Sequence, residues 1–270
     1  MKSSSALWRT IAGLSTAATL LLLVGFVYAL KDVMAPGSGA LWNPVPSGDL
    51  SKAAPKTSSK QINVATLGDS LAKGTGDDTG QGFVRRTIAE LQKNQKLPVN
   101  LVNNLGVNGM TTKGLLPTLD EPGVQYVLRN ANVILLSIGG NDLFQGAQNV
   151  SSGKPLPTYK ELSAEVDKAS IRLKRIVDAI HQINPAAQLV YVGLYNPFND
   201  LREMRVPGNQ AVTEWNLKAS EIVNAYENAR VVSTFDLFVG NTQKYLSDDH
   251  FHPNGDGYQH IAERIAQGIE

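Results

Sequence analysis

The sequence predicts an α/β protein with a parallel β-sheet held between layers of helix. Three observations carry that prediction. Short apolar runs rich in β-branched residues recur along the chain, and stretches with apolar residues at helical spacing separate them. The first three apolar runs also break at glycines: Gly68, Gly106 and Gly139-Gly140. Alternating strands and helices favour a parallel sheet, and right-handed crossovers bring all the strand carboxyl ends to one rim. Ligands bind at that rim in open α/β sheets.

The first strand, from Ile62, delivers Gly68-Asp69-Ser70 to a tight turn. A loop rich in glycine (Gly74, Gly76, Gly80) follows, then a helix around Phe83–Asn94. The second strand, Val99–Leu105, enters Gly106-Val107-Asn108-Gly109, and a helical region interrupted by Pro117 and Pro122 runs to about Arg129. The third strand, Asn132–Ile138, runs into Gly139-Gly140-Asn141-Asp142. A polar insertion precedes a long helix in which Val166, Ala169, Leu173, Ile176, Val177 and Ile180 share a face, with Lys168, Arg172 and Arg175 on others. The fourth strand, Gln188–Leu194, leads to a loop, Tyr195–Gly208, and a helix striped by Trp215, Ala219, Ile222, Val223 and Tyr226. The fifth strand is expected over Arg230–Phe235, and a last helix repeats Ile261, Ile265 and Ile269.

Composition narrows the function classes. With 270 residues, 42% hydrophobic and 18% charged, the chain can bury a sizeable core. A net charge of +1 and no dense Lys/Arg run argue against nucleic acid as a partner. The absence of cysteine excludes disulfides, thiolate zinc sites and a cysteine nucleophile.

The N-terminal sixty residues read differently from the rest. Residues 1–9, with Lys2 and Arg9, are expected to form a cytoplasmic stub ahead of an uncharged stretch at 10–30. About 20 apolar residues cross a bilayer, so 10–30 is expected to be a transmembrane anchor with everything later outside the cytoplasm. A cleaved signal peptide, with Val27-Tyr28-Ala29 as its processing site, is the alternative and would leave a secreted protein. Residues 31–60 are dominated by Pro, Gly, Ser, Ala and Lys and read as a flexible tether. The globular domain is then 61–270.

The chemistry-bearing residues converge on the predicted rim. Ser70 ends the first strand, where its local alternative is a helix N-cap. After the fifth strand, Asp249 and His252 stand three apart, so the carboxylate can accept the imidazole Nδ1–H and leave Nε2 to take a proton from a serine hydroxyl. Spacing sets aside their neighbours Asp248 and His250, while His181 and His260 lie on helices and read as structural. Acyl transfer also needs donors for a developing oxyanion. The backbone N–H groups of Ser70 and Gly106 and the side-chain amide of Asn141 are the candidates, although a turn or helix cap would also explain Asn141.

These four blocks (Gly68-Asp69-Ser70, Gly106, Gly140-Asn141-Asp142 and Asp249-x-x-His252-Pro253) stand in the order of the SGNH hydrolases, also called the GDSL esterase/lipase family, which the chain resembles. The resemblance implies a three-layer flavodoxin-like fold with strand order 2-1-3-4-5. It also implies Ser70 as nucleophile, His252 as base, Asp249 as its partner, and an oxyanion hole of Ser70, Gly106 and Asn141, with no cofactor. With its N-terminal segment and glycine-rich loop, the chain looks most like the extracytoplasmic GDSL-type lipases of bacilli and their relatives.

Rival readings fit less well. A dinucleotide loop at Gly74–Gly80 lacks the third glycine, and its two carboxylates would repel a pyrophosphate. An α/β-hydrolase elbow needs a glycine where Ala72 stands. A metal hydrolase would need ligands beyond Asp248, Asp249, His250 and His252. A non-catalytic anchored binding module is the remaining alternative. For substrate, the expected loops Phe144–Thr158 and Tyr195–Gly208 carry Phe198, Leu201 and Met204, which favour a lipid or medium-chain ester. An acetyl ester of a cell-wall glycan is the competing substrate.

Overall fold

The computed structural model describes residues 4–34, 61–95, 97–144 and 155–269. Most of the expected tether, the first residues of the stub and most of the polar insertion lie outside the described residues.

Helix α1 spans Ser4–Met34. The elements that follow are β1 Ile62–Gly68, α2 Ser70–Lys73, α3 Gly82–Gln95, β2 Val99–Gly106, α4 Thr112–Thr118, α5 Pro122–Arg129, β3 Val133–Ser137 and α6 Gly140–Phe144. The chain continues with α7 Tyr159–Ile183, β4 Gln188–Val192, α8 Arg202–Val223, β5 Ala229–Val232, α9 Phe235–Phe238, α10 Thr242–Tyr245 and α11 Gly255–Gln267.

The described part of α1 does not bear out the expected transmembrane anchor over 10–30. Among the described residues, no helix is long and apolar enough to cross a membrane. Within α1, Gly13, Ser15, Thr16, Thr19 and Gly25 break up the apolar residues, and the unbroken aliphatic run is Leu20–Val24.

The catalytic-sized unit is built on a parallel five-stranded sheet in the order β2-β1-β3-β4-β5. Side chains alternate between its two faces. Ala65, Leu67, Ile134, Leu136, Leu189 and Tyr191 pack with residues of α4, α5, α7 and α8. Ile62, Val64, Val133, Leu135, Val190 and Val192 pack with α3 and α11. The long helix α7 starts with a capping box between Thr158 and Glu161.

Two boundaries differ from the sequence expectation. Strand β5 stops at Val232 instead of reaching Phe235, because Ser233 and Thr234 turn the chain outward. The Thr234 hydroxyl donates to the Gly193 carbonyl at 2.7 Å, and the Ser233 hydroxyl donates to the Asp236 carboxylate of α9 at 3.1 Å. Helix α8 begins at Arg202 and runs through Pro207, so the loop before it is shorter than expected. The lost backbone bond at proline is offset by burial of Met204, Gly208, Ala211 and Val212.

At the end of β3 the chain turns through Gly139 at φ +118°, and a Cβ there would lie 2.2 Å from the Trp215 ring. That ring is itself held, its Nε1–H donating to the Tyr191 hydroxyl at 2.7 Å, while the hydroxyl donates to the Ile138 carbonyl at 2.7 Å. Gly139→Ala should therefore lower unfolding free energy by about 2 kcal/mol or more. Urea denaturation of the two proteins checks this, and an unchanged midpoint would refute the packing argument.

Candidate active site

Ser70 owes its position to the residues just before it. Gly68 takes φ +140°, and a Cβ there would sit 1.8 Å from the Ser137 carbonyl oxygen, so only glycine lets the ends of β1 and β3 come this close. The Asp69 N–H donates to that same carbonyl at 3.0 Å. Asp69, not Ser70, is the N-cap of α2: its Oδ1 accepts from the Leu71 N–H at 3.0 Å and from the Ser137 hydroxyl at 3.0 Å. Ser70 is therefore the first residue of the helix. Asp69 is fully buried, and burial pushes its carboxyl up to about 7 against the opposing pull of the Ser137 and Leu71 hydrogen bonds.

The loop between α10 and α11 brings the other two groups to Ser70. His252 Nε2 lies 2.8 Å from Ser70 Oγ, and His252 Nδ1 lies 2.5 Å from Asp249 Oδ2. Burial pushes the Asp249 carboxyl up, but hydrogen bonds from the His252 ring, the His252 and Phe251 N–H groups and the Ser247 hydroxyl outweigh it and bring it down to about 2. An ionised carboxylate only accepts, so the proton sits on Nδ1 and Nε2 accepts from the Ser70 hydroxyl.

Packing fixes this loop from three sides. The Ser247 N–H donates to the His252 carbonyl at 2.8 Å, and the Tyr195 hydroxyl donates to the Phe251 carbonyl at 2.7 Å. Gly76, at φ +93°, lies beneath, and a Cβ there would come 2.8 Å from His252 Cβ. The Gly76 loop is organised by Asp77, which accepts from Thr79, the Gly82 N–H and Arg86. His250 occupies the turn at φ +53°. His181 stacks on Tyr226 and His260 pairs with Glu263, both away from Ser70.

Asn141 reaches the site from α6, and its Nδ2 donates to the Met110 carbonyl at 2.9 Å. Its neighbour Asp142 is braced by the Thr112 N–H at 2.8 Å, the Thr112 hydroxyl at 2.6 Å and Arg172 Nη2 at 3.1 Å. Sequence reasoning missed Thr112 and Arg172. The periodicity placed Arg172 off the apolar stripe of its helix and carried no signal for this partner. Gly106 ends β2 in register with Gly68 of β1. Its N–H donates to Asn104 Oδ1 at 2.9 Å, and a Cβ would meet the Lys73 nitrogen at 2.5 Å, so its small size serves the packing of β2 against α2.

Residues 66–260 match the model of the GDSL-like lipase/acylhydrolase family. The chain belongs to that family. By this membership it is a carboxylic ester hydrolase, and the parallel five-stranded sheet is the family's α/β fold. Among its relatives, Bacillus subtilis YpmR is 31% identical over 78% of this chain and 82% of that protein. The spore germination lipase LipC of Bacillus licheniformis is 26% identical over 76% of this chain and 94% of that protein. Among solved structures, the lipase Lip_vut3 from a goat rumen metagenome superposes with a TM-score of 0.67 at 24% identity, covering 77% of this chain and 97% of the other. A Clostridium thermocellum family 3 carbohydrate esterase gives 0.55 at 20% identity, with 77% and 94% covered. At these identities the two structures speak for the fold alone.

In this GDSL-family chain a pocket opens beside Ser70, lined by Asn141, Phe144, Leu194, Tyr195, Pro197 and Phe251 among others. The raised carboxyl beneath it has a consequence for stability. Its folded-state value of about 7 lies above the ordinary value of about 4. Stability from this group is therefore fully present below pH ~4 and is lost as pH rises to ~7, by at most about 1.4 kcal/mol per pH unit. Asp69→Asn keeps an N-cap and removes the titration. The stability of the wild type relative to this variant should fall across that window and level off above it, as urea melts at several pH values would show. A flat difference would contradict the burial argument.

Proposed function

We propose that this chain hydrolyses carboxylic esters through Ser70, His252 and Asp249 by way of an acyl-enzyme. The observation that carries this reading is the continuous contact from Ser70 Oγ to His252 Nε2 at 2.8 Å and from His252 Nδ1 to Asp249 Oδ2 at 2.5 Å. Ser70 Oγ attacks the acyl carbon as His252 Nε2 takes its proton. The tetrahedral intermediate then collapses, and the imidazolium returns that proton to the departing alcohol. Water next attacks the acyl-enzyme while Nε2 accepts its proton, the acid leaves, and the proton passes back to Ser70. Asp249 holds the ring in the productive tautomer and offsets its transient charge.

Negative charge on the carbonyl oxygen is stabilised by the Asn141 amide and the Ser70 backbone N–H. A contribution from Gly106 would require it to give up its bond to Asn104, so the proposed oxyanion hole is limited to the first two. Ser70→Ala and His252→Ala should each lower kcat/KM on an activated ester by roughly a thousandfold or more. Labelling by a fluorophosphonate should disappear in Ser70→Ala. A Ser70→Ala protein that keeps wild-type turnover would overturn the assignment.

The same reading puts the esterase outside the cytoplasm, with the N-terminal helix as its export segment. Support comes from Lys2 and Arg9 ahead of an uncharged stretch and from the exposed apolar run between Leu20 and Val27. A run of that length suits an export signal, which needs only about 7–15 apolar residues. Residues 1–60 fused to a phosphatase that is active only after export should give activity in a bacterial host. An expressed but inactive fusion would refute export.

A further inference from the structure

We propose that the pocket beside Ser70 is a short acyl slot for esters of acetyl size, and that Phe198 sets its depth. This inference rests on the esterase reading and names the substrate class of the same site.

The direction of the pocket follows from where the proton must go. The departing alcohol has to receive its proton from His252 Nε2, so it lies on the His252 side of Ser70. The pocket is lined by Ser70 and Asn141 but not by His252. It therefore takes the acyl half of the ester.

The free space inside is about 20 Å³, roughly the room for a single water. Phe144 and Phe251 line it, and the Phe198 ring packs against both. The Phe198 ring stands edge-on to Phe144 at 5.6 Å and tilted against Phe251 at 5.9 Å. These rings form one contiguous wall, and a longer chain reaches it after a few carbons.

The wall is also held in place, so it does not yield at small cost. The Phe198 N–H donates to Asn196 Oδ1 at 3.0 Å, and Asn196 Nδ2 donates to Asn209 Oδ1 on α8 at 2.8 Å. Asn209 in turn donates to Asn199 Oδ1 at 3.1 Å. Gly208 has no Cβ where one would lie 2.7 Å from Asn196 Nδ2, which lets the loop seat directly on the helix. Asn196 and Asn199 are both buried. Amides buried and paired on two sides resist rearrangement, because moving the loop would leave them unsatisfied. Phe198, one of the apolar residues that in sequence favour a lipid acyl chain, thus backs the wall of the slot instead of extending it.

A chain-length series of p-nitrophenyl esters from acetate to octanoate tests the proposal. The wild type should favour acetate over octanoate in kcat/KM by at least about tenfold, since a misfitted methylene costs about that much or more. Phe198→Ala should raise the octanoate-to-acetate ratio by at least about tenfold, and Phe198→Leu, which keeps most of the bulk and protects the fold, should raise it by about threefold. A wild type that favours octanoate, or a ratio unmoved in both variants, would overturn the slot while leaving the esterase reading intact. A wild type that hydrolyses no ester in the series and takes no fluorophosphonate label would instead remove the esterase reading, and the slot with it.

Discussion

The site depends on a buried carboxyl at the junction of two strands. Asp69 lies between the ends of β1 and β3, where its carboxyl accepts from Ser137 and Leu71 while its N–H donates to the Ser137 carbonyl. Burying such a group costs free energy unless its hydrogen bonds are made. Here they are made to groups that define the turn itself: the last residue of β3 and the second residue of α2. Any shift of the strand ends would strand the carboxyl without partners. Ser70, one residue on, inherits that rigidity, and Gly68 supplies the space that makes the approach possible.

Two further devices bring distant residues to the same point, each built on a carboxylate that is satisfied several times over. Asp249 gathers two backbone N–H groups, a serine hydroxyl and the His252 ring into one turn. Asp142 joins α6 to α4 and α7 through Thr112 and Arg172, which holds Asn141 at the rim. Asp142 is buried, and removing one partner of a buried pair leaves an uncompensated charge, so that device tolerates little slack. A preorganised site needs this kind of support behind the groups that react.

The fold alone leaves the substrate open. Lipases and carbohydrate esterases share it among the neighbours of this chain, as expected where activity is grafted onto a common scaffold. The wall around Ser70 is particular to each chain's own loops. In this chain the wall is aromatic and close, and it is pinned to α8 by paired asparagines.

Much of the fold was legible because it is written in local periodicity. The five strands fall where apolar runs were expected, and α7 and α11 lie where apolar residues recur at helical spacing. Ser70, Asn141, Asp249 and His252 were legible because their motifs sit at strand ends or in a short turn, and parallel topology sends those ends to one rim. The less legible features depend on three-dimensional contacts that spacing does not reveal, some of them local and some far apart in sequence. Whether Pro207 ends a helix or rides inside one depends on what its neighbours bury. Whether Gly106 offers its N–H depends on Asn104 folding back onto it, and Arg172 meets Thr112 sixty residues earlier in the chain. The sequence by itself determined the α/β alternation and pointed to Ser70, Asp249 and His252 as neighbours at one rim, because both follow from local spacing and residue chemistry. Only the tertiary structure decided that Asp69 is buried against Ser137, that Arg172 and Thr112 brace Asp142 and that Phe198 packs between Phe144 and Phe251, because those are set by contacts between segments that carry no mark of one another.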